Sequence, residues 1–121
     1  MRLLCADDDA DIRAILALAL AVDPAFDARL FDSGAALVAA ARADGADAIL
    51  LDAMMPGQDG FETCRQLKAD PSTAAIPVLF LTATSQRTER ELAMTLGAVA
   101  CLAKPFDPMT LAAQVRAELA R

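Results

Sequence analysis

The chemistry-bearing residues of this chain stand where short apolar runs stop. Asp7 and Asp8 follow Leu3–Ala6, Asp52 closes Ala48–Leu51, Thr82 closes Val78–Leu81, and Lys104 follows Ala100–Ala103. If they converge, Asp7, Asp8 and Asp52 put three negative charges in one small volume. Two like charges about 4 Å apart repel by roughly 4 kcal/mol at an effective dielectric of about 20. Such a site either keeps a proton or binds a cation. Hard oxygen donors with room for water suit Mg²⁺, which binds through a few carboxylates and a phosphate. A lysine ammonium at 104 can neutralise phosphoryl oxygens, and the Thr82 hydroxyl can donate to another. A carboxylate is itself a nucleophile able to form an aspartyl-phosphate. The chemistry implied is phosphoryl transfer to one of these carboxylates.

Convergence requires a scaffold, and apolar runs alternating with helical patterns supply one. The expected strands are Leu3–Ala6, Phe26–Phe31, Ala48–Leu51, Val78–Leu81 and Ala100–Ala103. Between and after them, helices are expected over Ile12–Val22, Ala35–Ala43, about Phe61–Lys68, about Thr88–Leu96, and from Pro108 onward. Asp9, Ser33, Asp59 and Asp107 are the expected N-caps, and Gly45 and Gly97 close two helices. Pro108 at the first position of the last helix is a start signal, because its missing N–H would have no helical partner anyway. Strands apolar on both faces and alternating with helices argue for a parallel sheet covered on both sides, a three-layer α/β domain spanning residues 1–121. In an open parallel sheet the ligand crevice lies at the carboxyl ends of the strands, which gathers Asp7, Asp52, Thr82 and Lys104.

Four segments in this order resemble two-component response-regulator receiver domains: Leu4-Cys5-Ala6-Asp7-Asp8, Leu51-Asp52 through Gly60, Leu81-Thr82-Ala83, and Lys104-Pro105-Phe106. The resemblance spans essentially the whole chain. It implies a flavodoxin-like fold with strand order 2-1-3-4-5 and a phosphoacceptor role for Asp52. It also implies Mg²⁺ binding by Asp7, Asp8, Asp52 and the Met54 backbone carbonyl, a switch role for the Thr82 hydroxyl, and phosphate contact by Lys104. The phosphodonor implied is a sensor histidine kinase or histidine phosphotransfer protein. Output is implied on the face of the fourth helix, fifth strand and fifth helix, where Arg87, Arg90, Glu91 and Thr95 are candidate contacts. An X–Pro bond prefers trans by only about 0.5–1 kcal/mol, and the resemblance implies a cis Lys104–Pro105 bond. The chain departs from the family pattern at Cys101, where an aromatic residue usually stands. Switching is therefore expected in the loop from Ala83 to Thr88 and the start of the fourth helix, with Thr82 pulling on it directly. Water is expected to reach the phosphoryl group past Met54 and Thr84.

Composition narrows the alternatives. A chain of 121 residues with 56% apolar content has enough material for a core. Eleven basic against seventeen acidic residues give a net charge of −6, which leaves no basic face for displacing counterions from nucleic acid. No run of about 20 apolar residues appears, so no membrane span is expected. Cys5, Cys64 and Cys101 form no CxxC pair and read as small buried hydrophobes in a reducing cytoplasm. No effector domain is expected, so output is expected through protein contact. A phosphatase with a strand-end aspartate nucleophile needs a second acid two residues on, and Met54 occupies that position. The chain therefore reads as a phosphoacceptor switch rather than an enzyme. A receiver-fold interaction module acting without phosphate is the alternative.

Overall fold

The computed structural model describes residues 1–55, 57–82 and 87–121. Its elements, in chain order, are β1 Arg2–Ala6, α1 Ala10–Ala21, β2 Asp27–Phe31, α2 Gly34–Asp44, β3 Ala48–Asp52, α3 Gly60–Ala69, β4 Val78–Thr82, α4 Arg87–Thr95, β5 Ala100–Ala103 and α5 Leu111–Leu119. The strands are parallel and ordered β2-β1-β3-β4-β5, a flavodoxin-like arrangement.

Strand periodicity divides the core in two. Leu4, Ala6, Ile49, Leu51 and Phe80 point to one face, where they meet Leu37, Phe61, Leu67 and Ala93 of α2, α3 and α4. Leu3, Cys5, Leu50, Leu79 and Leu81 point to the other and meet Leu16, Leu20, Leu111 and Val115 of α1 and α5. Alternate strand residues face opposite sides, so a strand covered on both must be apolar throughout. β3 and β4 are buried at every position, and β3 ends on a buried acid.

The helix starts follow their caps. Asp9 accepts from the Asp11 and Ile12 N–H groups, Ser33 from Ala36, and Asp59 from Glu62, as expected for these residue types. Gly45 and Gly97 adopt φ values of 71° and 98°, the left-handed region that favours glycine.

Three expectations need correction. β2 starts at Asp27, because the Phe26 N–H turns back to Asp23 O at 3.1 Å. It is an edge strand and half-exposed, so two-sided burial fails there. The last helix starts at Leu111: residues 108–110 form a turn in which the Asp107 carboxylate accepts from Met109 at 2.8 Å, and Thr110 is the helix N-cap. Cys101 is half-exposed on the other edge strand, whereas Cys5 and Cys64 are buried as expected. The other helix ends differ from the expected ones by one or two residues, where fraying and capping blur a boundary.

Candidate functional site

Parallel strands bring their carboxyl ends to one edge of the sheet. Asp52 is the last residue of β3 and Thr82 the last of β4. Ala6 pairs with Leu51, so Asp7 lies level with Asp52 on the neighbouring strand. Thr82 pairs with Ala103, which puts Lys104 one step beyond β5. The Lys104 N–H donates to Thr82 O at 2.7 Å, and the Lys104–Pro105 bond is cis.

From there the lysine reaches both acids. Its Nζ lies 3.1 Å from Asp7 Oδ2 and 3.2 Å from Asp52 Oδ2. Asp7 is 1% exposed and Asp52 6%, so the bridge sits where water screens poorly. Asp8 is exposed at the rim, and carboxylate oxygens of Asp7, Asp8 and Asp52 lie within 4.8 Å of one another. Two buried carboxylates and one exposed one suit a hard cation that keeps part of its water. Burial pushes the Asp52 carboxyl above its ordinary value. Lys104 opposes that rise and Asp7 reinforces it. Burial works against the Lys104 ammonium, yet Asp52 and Asp7 outweigh it and hold its pKa above the usual lysine value.

Short-range bonds set the acids in place. Asp7 Oδ1 accepts from Asp9 N at 3.0 Å, and Asp52 Oδ1 from Met54 N at 3.2 Å. The Asp7 N–H donates to Phe31 O at 3.1 Å. A Cβ at Gly60 would collide with the Asp52 carbonyl oxygen, so the first residue of α3 must be glycine for the helix to seat against β3. Met54 is 61% exposed at the mouth of the crevice. Thr82 is buried. Residues 83–86, including Thr84 and most of the loop where switching is expected, lie outside the described residues, as does Pro56.

Two features were not foreseen from the sequence. Arg13 of α1 donates from Nη1 to Asp7 O at 2.9 Å. Its place one helical turn after the Asp9 cap was the available signal. An apolar recess of about 370 Å³ opens beside Lys104, lined by Ile12, Ile15, Pro105, Phe106 and Pro108. It joins residues about 90 positions apart in the chain, which a local pattern does not reveal.

A family model described as "Response regulator receiver domain" matches residues 3–116. The chain belongs to that family. Among similar proteins, the receiver is 44% identical over 116 residues to "Response regulator PleD" of Caulobacter vibrioides, covering 95% of this chain and 25% of PleD. It is 37% identical over 120 residues to "DNA-binding response regulator MtrA" of Mycobacterium tuberculosis, covering 99% of this chain and 51% of MtrA. The receiver therefore spans about a quarter to a half of these relatives. A putative response regulator from Chloroflexus aurantiacus superposes with a TM-score of 0.89 at 32% identity, covering 99% and 98% of the two chains. The Vibrio cholerae chemotaxis protein CheY4 gives 0.88 at 27% identity, covering 96% of each. Receiver domains of two-component systems bind Mg²⁺ through acidic residues and act as phosphoacceptor switches. No helix among the described residues is long and apolar enough to cross a membrane.

Proposed function

We propose that this receiver takes a phosphoryl group onto Asp52 from the phosphohistidine of a sensor kinase or phosphotransfer protein, and then alters its protein contacts. The observation that carries the reading is the Lys104 bridge between Asp7 and Asp52 at the mouth of a triple-acid crevice. Asp52 Oδ attacks phosphorus, the P–N bond breaks, and the imidazole nitrogen keeps the electron pair. Lys104 leaves its pairing with Asp52 to meet the phosphoryl oxygens, and the Thr82 hydroxyl supplies a further donor. Asp7, Asp8, Asp52 and the Met54 carbonyl would hold Mg²⁺, which when bound neutralises charge on the phosphoryl group and the acids. The phosphodonor rests on the apolar recess of Ile12, Ile15, Pro105, Phe106 and Pro108, because that face adjoins Lys104.

The output face is α4, β5 and α5, where Arg87, Arg90, Glu91 and Thr95 are exposed. We take residues 1–121 as one receiver domain acting in the cytoplasm. Its net charge of −6 argues against direct nucleic-acid binding by this domain. Incubation with Mg²⁺ and acetyl phosphate, followed by intact mass, tests the reading. The wild type should gain one phosphoryl group and Asp52→Asn none. Labelling of Asp52→Asn at the wild-type rate would overturn the assignment. A module that signals without phosphate is favoured only by Cys101, and a wild type that stays unlabelled would support it.

A further inference from the structure

We propose that Arg13 is a positioning residue for the metal-binding acids, a proposal that rests on the reading of Asp7 and Asp8 as Mg²⁺ ligands. Asp7 is held at each polar atom. Its N–H donates to Phe31 O at 3.1 Å, its Oδ1 accepts from Asp9 N at 3.0 Å, and its Oδ2 meets Lys104 Nζ at 3.1 Å. Its carbonyl lies beyond the end of the β1 ladders, whose last pairs are Ala6 with Phe31 and Ala6 with Leu51. Arg13 Nη1 supplies that carbonyl with a partner at 2.9 Å.

The consequence falls on Asp8. Among the described residues no hydrogen bond or ion pair holds its carboxylate, yet that group lies within 4.8 Å of the Asp7 and Asp52 carboxylate oxygens. The Asp7–Asp8 peptide leads directly into the Cα that carries it, and the carbonyl oxygen of that peptide is the atom Arg13 grips. Arg13 is half-buried and reaches back over the first turn of α1, so the helix that Asp9 caps also anchors the peptide ahead of it. Partners outside the direct ligand set orient the ligands, and removing one typically weakens metal binding about 10–100-fold.

Charge and positioning predict opposite signs. Removing a cation beside a cation site strengthens Mg²⁺ binding by electrostatics alone, whereas loosening the peptide plane weakens it. Titration calorimetry with MgCl₂ alone on the full chain distinguishes them, with thermal unfolding in EDTA as the check on folding. Arg13→Met is expected to bind Mg²⁺ about tenfold more weakly while the metal-free midpoint stays close to wild type. Arg13→Lys, which keeps the charge and one donor, is expected to recover most of the affinity. Should Arg13→Met fail to fold, Arg13→Gln takes its place in the same comparison. Unchanged or tighter binding in the neutral variant overturns the positioning role, as does a Lys variant as weak as Met. A wild type that binds no Mg²⁺ refutes the metal reading itself, a result distinct from any difference among the variants.

Discussion

Replacing Lys104 by Met keeps the apolar stem and removes the ammonium, which isolates the electrostatics of the crevice. The two contacts at 3.1 and 3.2 Å are each worth about 5 kcal/mol gross at an effective dielectric of about 20, largely offset by desolvation. Without the lysine, Asp7 and Asp52 face each other uncompensated. Carboxylate oxygens within 4.8 Å repel by at least about 3.5 kcal/mol in the same medium. The folded protein can instead take up a proton. From an ordinary carboxyl value of about 3.9, that costs about 4 kcal/mol at pH 7. The two routes agree, so Lys104→Met is expected to lose about 3–4 kcal/mol of metal-free stability at pH 7, within the range for a broken buried pair.

The pH dependence follows from the same groups. Burial already raises Asp52 in the wild type, and losing Lys104 removes the main interaction that opposes that rise, leaving only the Met54 N–H. The folded variant then holds a proton that the unfolded chain has released, so stability rises as pH falls from 7 toward the ordinary carboxyl range, by up to about 1.4 kcal/mol per unit. The wild-type lysine behaves in the opposite sense. Its raised pKa contributes stability that is complete below the ordinary lysine value and is lost as pH climbs through the higher folded value. Urea unfolding in EDTA at pH 7, 6 and 5, followed by circular dichroism because the chain has no Trp or Tyr, measures the first effect. A loss below about 1 kcal/mol at pH 7, or one that does not shrink by pH 5, would refute the reasoning.

Other substitutions probe the rest of the crevice. Met54 is exposed at its mouth and offers water no hydrogen bond, so Met54→Asn or Met54→Asp is expected to speed loss of the phosphoryl group. Timed intact-mass measurements check this, and an unchanged or slower rate would remove Met54 as the gate. Gly60→Ala drives a Cβ into the Asp52 carbonyl, where backbone cannot yield cheaply, and is expected to cost about 1–3 kcal/mol in urea unfolding. A stability equal to wild type would show that α3 can shift aside. Ile15→Glu puts a charge on the apolar recess and should slow transfer from a phosphohistidine protein while leaving labelling by acetyl phosphate intact. Equal slowing of both reactions would place the defect in the crevice rather than in docking.

Much of this molecule was legible in one dimension because the relevant physics is local. A buried parallel strand must be apolar at consecutive positions, and Ala48–Leu51 and Val78–Leu81 are, ending on the residues that face the crevice. A capping carboxylate or hydroxyl acts on N–H groups two or three residues ahead, so Asp9, Ser33 and Asp59 declare their helices directly. Asp107 misled because the same side chain also closes an isolated turn, and nothing nearby in sequence separates the two outcomes.

Residue types and strand ends were thus available from order alone, but the bonds between distant parts were not. Lys104 and Asp7 stand 97 positions apart, and their contact exists only because β1 and β5 expose their carboxyl ends on the same edge of the sheet. The need for glycine at 60 comes from a backbone oxygen on another element, which no φ preference announces. β2 carries a strand-like pattern, yet its half-exposure follows from standing at the sheet edge, a consequence of pairing order rather than of composition. Arg13 could have pointed into solvent like many helix arginines. It turns inward because folding leaves the Asp7 carbonyl beyond the ladder, and a carbonyl away from water needs a donor.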